Sequence, residues 1–285
     1  VAEQWVYSSQ IVSRFFKEGN VKTKNVLREL MKQGKPTIGT RVYVQWPGMT
    51  EVIGHSGVID YVQFEGQYAP YDLFSLENFG RAVGLFDHMS AMMKLDQSPK
   101  TYLAERAVGS GIQNLLFADI RTVDDARLAV ASMRPETPES GGIKGVAGTR
   151  DMGYVAPGIT LVDYIRFLED GVLALMIEKK EAVDNLEEIL SVPGVDMVQF
   201  GRSDYSMSIG LPGQIDHPDV HDAEMYMIKT ALEMGVNPRV DVKSGEDAQS
   251  FVDMGVKDFT IGTDINIVYD YCKEKGGELA KLLGK

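Results

Sequence analysis

The sequence has a single cysteine, Cys272, and only 4 histidines in 285 residues. One cysteine excludes an intrachain disulfide and a thiolate cluster; it fits a reducing compartment, so the cytoplasm is the expected location. No apolar run approaches the roughly 20 residues of a membrane span. The opening stretch, VAEQWVYSSQIVSRFFKEGN, lacks the continuous apolar core of a signal peptide and reads as an amphipathic extension. Positive charge is scarce: 29 Lys and Arg stand against 41 Asp and Glu, for a net charge of −12. An acidic surface repels polyanions, which argues against nucleic acid and an anionic membrane as partners. A small anionic substrate stays open if a few cations line its pocket. Glycine fingerprints are missing as well, since GGIKGVAG has neither dinucleotide nor P-loop spacing.

What is present is ample core material, 44% hydrophobic and 25% charged, in a repeating order. Short strand-like runs occur at PTIGTRVYV (36–44), IDYVQFE (59–65), AMMKLD (91–96), NLLFAD (114–119), LALMIE (173–178), DMVQFG (196–201), PRVDV (238–242) and DFTIGT (258–263). Helical spacing falls between them, as in TVDDARLAVASM (122–133), AVDNLEEIL (182–190), DVHDAEMYMIKTALEMG (219–235) and GEDAQSFVDMG (245–255). Strands alternating with helices imply parallel pairing, and eight such units predict one α/β domain, a closed (β/α)8 TIM barrel over 25–285 with an N-terminal helical extension at 1–24. A doubly wound sheet is the alternative, but no G-x-G-x-x-G follows the first strand. The Gly- and Pro-rich segment 134–160 is longer than a connection needs, and we expect it to wall the pocket.

In such a barrel, polar residues at the C-terminal ends of strands are the candidates for chemistry. They are Glu65 and Gln67, Lys94 and Asp96, Asp119, Glu178, Arg202 to Asp204, and Asp264. Glu178 and Asp204 end consecutive strands, which lie about 4.8 Å apart. Two carboxylates so placed can share a hard divalent cation such as Mg or Mn, or can each cap the next helix. Arg41 alternates with Val42 and Val44 and so can point inward, where a charge must be paired or used. His217 and His221 have metal-like spacing, but a helix-start role suits His217 better, and His55 and His88 read as structural.

The stretch LMIEKKEAVDNLEEILSVPGVDMVQFGRSDYSMSIGLPGQIDHPDV (175–220) resembles the HpcH/HpaI aldolase family, in its I-E-x-x-E-A, V-x-G-V-D and G-x-x-D segments and its G-x-P before H-P. The resemblance, weaker elsewhere, runs from about Asn25 to the C-terminus. It implies a homo-oligomeric barrel, a hexamer or trimer of dimers, that makes or breaks a carbon–carbon bond of a small anionic carbonyl substrate, a 2-oxo acid, through a metal-stabilised enolate. It puts the ligands of a divalent metal (Mg, Mn or Co) at Glu178 and Asp204, and carboxylate-binding amides around Ser203 and Asp204.

Two segments depart from the family pattern. Where the family has D-x-E-H-x-P, this chain has Glu65-Gly66-Gln67-Tyr68-Ala69-Pro70, so a phenol replaces the imidazole of the acid–base pair. Where the family has an arginine on the third strand, MMKLDQSP (92–99) offers Lys94, which keeps the charge and loses the bidentate fork. The resemblance therefore assigns catalysis to Glu65, Tyr68 and Lys94 and substrate contacts to Gln67 and Ser203. Arg150 in the long loop and Arg202, which sits where the family has proline, are further cations near the mouth expected to contact an anionic substrate. The concerted changes leave decarboxylation or condensation on the same scaffold open, as well as a non-catalytic binding or assembly barrel.

Overall fold

A strand buried on both faces must carry apolar residues at successive positions rather than at alternate ones. The eight predicted runs satisfy this, and all eight are strands: β1 (Thr37–Val42), β2 (Tyr61–Phe64), β3 (Ser90–Leu95), β4 (Asn114–Ile120), β5 (Leu173–Ile177), β6 (Met197–Phe200), β7 (Asn237–Val242) and β8 (Asp258–Thr263). They pair in parallel in chain order and β8 returns to β1, closing the barrel. This computed structural model describes residues 24–145, 150, 154 and 160–285. The expected extension 1–24 lies outside the described residues except for Lys24.

Twelve helices are found among the described residues. They are α1 (Val26–Lys32), α2 (Pro47–His55), α3 (Leu73–Val83), α4 (Lys100–Gly109), α5 (Val123–Met133), α6 (Leu161–Glu169), α7 (Lys180–Asp184), α8 (Leu186–Leu190), α9 (Arg202–Ser208), α10 (Pro218–Met234), α11 (Gly245–Met254) and α12 (Asp264–Leu282). The caps are those the sequence advertises. Thr122 and Thr160 each close a capping box, and Gly235 and Gly255 end α10 and α11 with φ of 75° and 100°. The helix expected over 182–190 is two short ones, interrupted at Asn185. No described helix is long and apolar enough to cross a membrane.

The period of two along each strand divides the core. Val62, Phe64, Leu173, Leu175, Val198 and Phe200 pack outward against the helices. Tyr61, Met92, Leu116, Ala174, Met176 and Met197 pack inside the barrel, joined by Leu27 of α1. The helix α1 closes the N-terminal end, where the Asn25 amide donates to Asn114 Oδ1 at 2.6 Å and the Leu27 amide to Ser90 Oγ at 3.2 Å.

The expectation that 134–160 walls the pocket fails for its described part. The segment follows helix α5, not a strand, so it starts at the N-terminal end of the barrel. There Arg134 donates to the carbonyls of Leu168 at 3.2 Å and Gly171 at 2.9 Å, just before β5. The Lys144 ammonium, drawn down in pKa by burial, is anchored on Glu105 at 2.5 Å.

Candidate active site

Continuing the inward alternation by one step past each strand predicts what lines the mouth. On β2, Tyr61 and Gln63 are followed by Glu65; on β3, Met92 by Lys94; on β5, Ala174 and Met176 by Glu178; on β6, Met197 and Gln199 by Gly201. Glu65, Lys94 and Glu178 are all buried, at 3%, 5% and 0% exposure, so three charged side chains share the space above the apolar interior. That costs free energy unless the charges compensate one another or a ligand.

Glu178 is held from one side. Its Oε1 accepts the Asp119 amide at 2.9 Å, while its Oε2 is buried with no hydrogen-bond partner and lies 4.0 Å from the Lys94 ammonium. Asp119 presents that amide from a left-handed conformation (φ 53°), where the pairing of β4 with β5 slips between Phe117 and Ile120. The irregularity re-aims an N–H into the site. Gly201 supplies the room: a Cβ there would come within 2.7 Å of Glu178 Cβ and 2.9 Å of its Oε2. Burial raises the Glu178 carboxyl above its ordinary range and the Asp204 charge adds to this, against the pull of Lys94 and the Asp119 amide.

Asp204, on the first turn of α9, accepts from the Lys179 ammonium at 3.2 Å through Oδ1, and its Oδ2 lies 3.5 Å from the Tyr68 hydroxyl. Lys179 also stands 3.9 Å from Asp119. Tyr68 is half exposed, with Lys94 Nζ over its ring at 4.9 Å from the centroid. Partial burial, then the charges of Asp204, Glu178 and Glu65, push its pKa upward, so its surroundings keep the phenol protonated. The residues suit a divalent cation in three respects: an orphaned buried carboxylate oxygen, a glycine cradle beneath it, and a second carboxylate near enough to perturb the first. No group of three or more His, Cys, Asp or Glu side chains is placed to hold a metal ion among the described residues, so protein would supply two ligands and leave the remaining positions to water and substrate.

Among the expected substrate ligands, Gln67 follows Glu65 in the β2 loop with its Oε1 buried and unpaired, and Ser203 is exposed on the first turn of α9. Two assignments are corrected. Arg202 pairs with the buried Glu224 of α10 at 2.5 Å, because the residue after Gly201 turns back toward the outer helices. Arg150 has its Nη2 3.1 Å from where a Cβ of Gly84 would stand, beside Ser90 and Asn114 at the starts of β3 and β4. It therefore lies at the opposite end from the mouth.

The sequence reasoning missed Lys179, which neighbours Glu178 and carries no period-two signal of its own. It left Arg41 without a partner; the structure sets Arg41 2.8 Å from Asp241 across the β1–β8–β7 rim, with its Nε unpaired. His217 is the N-cap of α10, accepting the Asp219 amide at 3.2 Å, which agrees with its reading as a helix start.

Comparison with known proteins places this arrangement. Residues 45–270 match the HpcH/HpaI aldolase/citrate lyase family. A 5-keto-4-deoxy-D-glucarate aldolase of Escherichia coli is 28% identical over 222 residues, 78% of this chain and 83% of that protein. A 4-hydroxy-2-oxovalerate aldolase of Rhodococcus jostii is 26% identical over 248 residues, 86% of this chain and 92% of that protein. The crystal structure of a family protein from Burkholderia cenocepacia superposes with a TM-score of 0.82 at 25% identity, covering 90% of this chain and 99% of that one. The chain belongs to the HpcH/HpaI aldolase/citrate lyase family, and with it to the divalent-metal-dependent carbon–carbon lyases.

Proposed function

We propose that this chain cleaves or forms a carbon–carbon bond next to the carbonyl of a 2-oxo acid, with Glu178 and Asp204 as the metal ligands. The observation that carries the reading is the orphaned Glu178 Oε2, buried over Gly201, on a carboxylate whose other oxygen, Oε1, is held by the Asp119 amide. A divalent cation bound there supplies the charge that polarises the substrate carbonyl. Lys94 places a second positive charge at the same spot, positioned to offset negative charge developing on the substrate oxygen. Glu65, buried and ionisable, is the proton acceptor. Tyr68, kept protonated by its neighbours, is the proton donor in place of an imidazole. The exposed backbone around Ser203 receives the substrate carboxylate, and Gln67 Oε1 accepts from a substrate hydroxyl.

The same reading includes a homo-oligomer, a hexamer or trimer of dimers. Helix α12 buries only Asp264, while Ile267, Val268, Tyr271, Leu279 and Leu282 are each more than half exposed on it. That is more apolar surface than a helix exposes without a partner. It also places the protein in a reducing cytoplasm, where the free and exposed Cys272 stays a thiol.

The test is exchange of the pyruvate methyl protons with solvent deuterium, followed by NMR with Mg or Mn and with chelator. Exchange needs only deprotonation beside the carbonyl and so does not require the second substrate. Metal-dependent exchange in the wild type and none in Glu178→Gln is the expected result. Exchange that ignores both metal and Glu178 would overturn the assignment.

A further inference from the structure

Among the described residues, the largest fully buried side chain is an arginine. Arg239 of β7 has 0% exposure and lies within the barrel, below the site. No described carboxylate stands within salt-bridge distance of it. Its Nε donates to Gln199 Oε1 at 2.8 Å, its Nη2 to Gln63 Oε1 at 2.6 Å and also to Gln199 Oε1, and its Nη1 reaches Met92 Sδ at 2.9 Å. Its guanidinium also faces the Tyr61 ring, 5.7 Å from the centroid. Its direct partners are neutral dipoles, with the buried Asp258 carboxylate of β8 acting on it from beyond salt-bridge distance, and a buried charge without a hydrogen-bonded counter-ion is expensive to keep. Four strands contribute to it, and the two glutamines occupy matching positions in V-Q-F stretches of β2 (62–64) and β6 (198–200).

The arrangement reaches the site through Gln63. Arginine has donors and no acceptor, so Gln63 must turn its oxygen toward Arg239. Its NH2 group is then committed to the other side, where Nε2 donates to Glu65 Oε1 at 2.5 Å. The opposite amide rotamer would set oxygen against carboxylate and NH2 against guanidinium. We propose that Arg239 and Gln63 are positioning residues: the buried guanidinium fixes the Gln63 amide, and that amide holds the Glu65 carboxylate in one orientation at the mouth. This inference rests on the reading of Glu65 as the proton acceptor. It assigns a purpose to a charge that a purely structural interior would replace with a hydrophobe of similar volume.

Metal-loaded protein, the pyruvate exchange assay and thermal unfolding together test it through Gln63→Leu, Gln63→Glu, Glu65→Gln and the double variant Gln63→Leu/Glu65→Gln. Gln63→Leu should lower the exchange kcat on the order of 10-fold to 10²-fold with little change in KM, the scale of a misplaced catalytic group. Gln63→Glu is the sharper variant and stays measurable if the leucine variant fails to fold. It gives Arg239 a carboxylate that the guanidinium keeps ionised, so this ion pair offsets the new repulsion from Glu65 and the protein should stay folded, yet the ionised group cannot donate to Glu65, so kcat should fall as in the leucine variant. In the Glu65→Gln background, Gln63→Leu should cost nothing further, because residues acting as one unit are non-additive. Wild-type kcat in Gln63→Glu overturns the inference, and so does a double variant whose loss is the product of the single losses. If Glu65→Gln itself exchanges like the wild type, the assignment of Glu65 falls and the inference falls with it, an outcome distinct from failure of the relay alone.

Discussion

The two ends of the barrel are built from the same residue types and differ in whether their polar groups are satisfied. At the N-terminal end, Asp258 accepts from Thr37 at 2.6 Å and Asn237 at 2.8 Å. The Asn114 side chain donates to the Ala91 carbonyl at 2.8 Å and accepts from the Val172 amide at 3.0 Å. Asp196 gathers both terminal nitrogens of Arg28 at 2.6 Å and the Leu173 amide at 2.9 Å. At the C-terminal end, Arg41 Nε, Gln67 Oε1 and Glu178 Oε2 are buried without hydrogen-bond partners. Buried polar atoms are ordinarily paired, so a cluster of orphans at one end marks where a ligand completes the structure. The contrast separates residues that satisfy one another from residues left open to the proposed ligand.

The sharpest break in that contrast is at the metal pair. Glu178→Gln and Asp204→Asn should each abolish tight divalent-metal binding and cost on the order of 10³-fold or more in kcat, the equivalent of several kcal/mol of charge stabilisation. The barrel should stay folded, because Glu178→Gln removes a desolvated carboxylate whose pKa is raised by burial. Isothermal titration with Mn and a melting curve check both halves. Normal metal affinity in the two variants would remove the basis of the proposed chemistry.

Tyr68→Phe is next in size. The proposed role of the phenol is that of a donor, in keeping with the upward push that partial burial and the charges of Asp204, Glu178 and Glu65 give its pKa in the metal-free protein. Its loss should lower kcat by about 10²-fold, with a much smaller effect on KM. Unchanged kcat would mean that the ring only fills space left by an absent histidine, leaving Lys94 over its face as a packing contact.

The opposite end should respond in stability alone. Asp196→Ala leaves Arg28 and Arg134, the latter 3.4 Å from the carboxylate, without their shared anion in a region mostly shielded from water. Breaking such a pair costs about 3 kcal/mol, read as a lower melting temperature, while kcat per folded molecule stays unchanged. A large fall in kcat here would blur the division between the ends.

Much of this division was legible in the sequence. Apolar runs ending in Glu65, Lys94, Glu178 and Gly201 give both the strands and the residues at their mouths, because the step of two that fills the barrel also delivers the next side chain to the site. The division of roles was harder to see where chain direction matters. Arg150 and the described start of the 134–160 segment read as pocket elements until the chain is seen to follow a helix down to the other end. Arg202 read as a substrate ligand because Glu224, its partner, lies 22 positions further on. Lys179 carried no signal, since alternation sends a residue beside Glu178 away from it, and only the turn into α7 brings its ammonium to Asp204. Arg239 did carry one: in PRVDV it alternates with Val240 and Val242, the argument that singled out Arg41.

The smallest effect tests the orphaned oxygen through pH. Burial raises the folded-state pKa of Glu178 above its unfolded value, so the metal-free protein binds an extra proton in the native state between those two values. The stability tied to that proton is fully present below the ordinary glutamate pKa and is lost as pH rises through the raised one. A divalent cation requires the ionised carboxylate, so its stabilisation must grow over the same window in which the metal-free protein weakens. Melting curves across that window should therefore diverge, falling with pH in chelator relative to the Glu178→Gln variant and rising in excess Mg. Each kcal/mol is worth about 2–4 °C for a chain of this size. If the chelated wild type and Glu178→Gln follow the same pH curve, the lone oxygen over Gly201 is already satisfied, and the contrast between the two ends loses its strongest member.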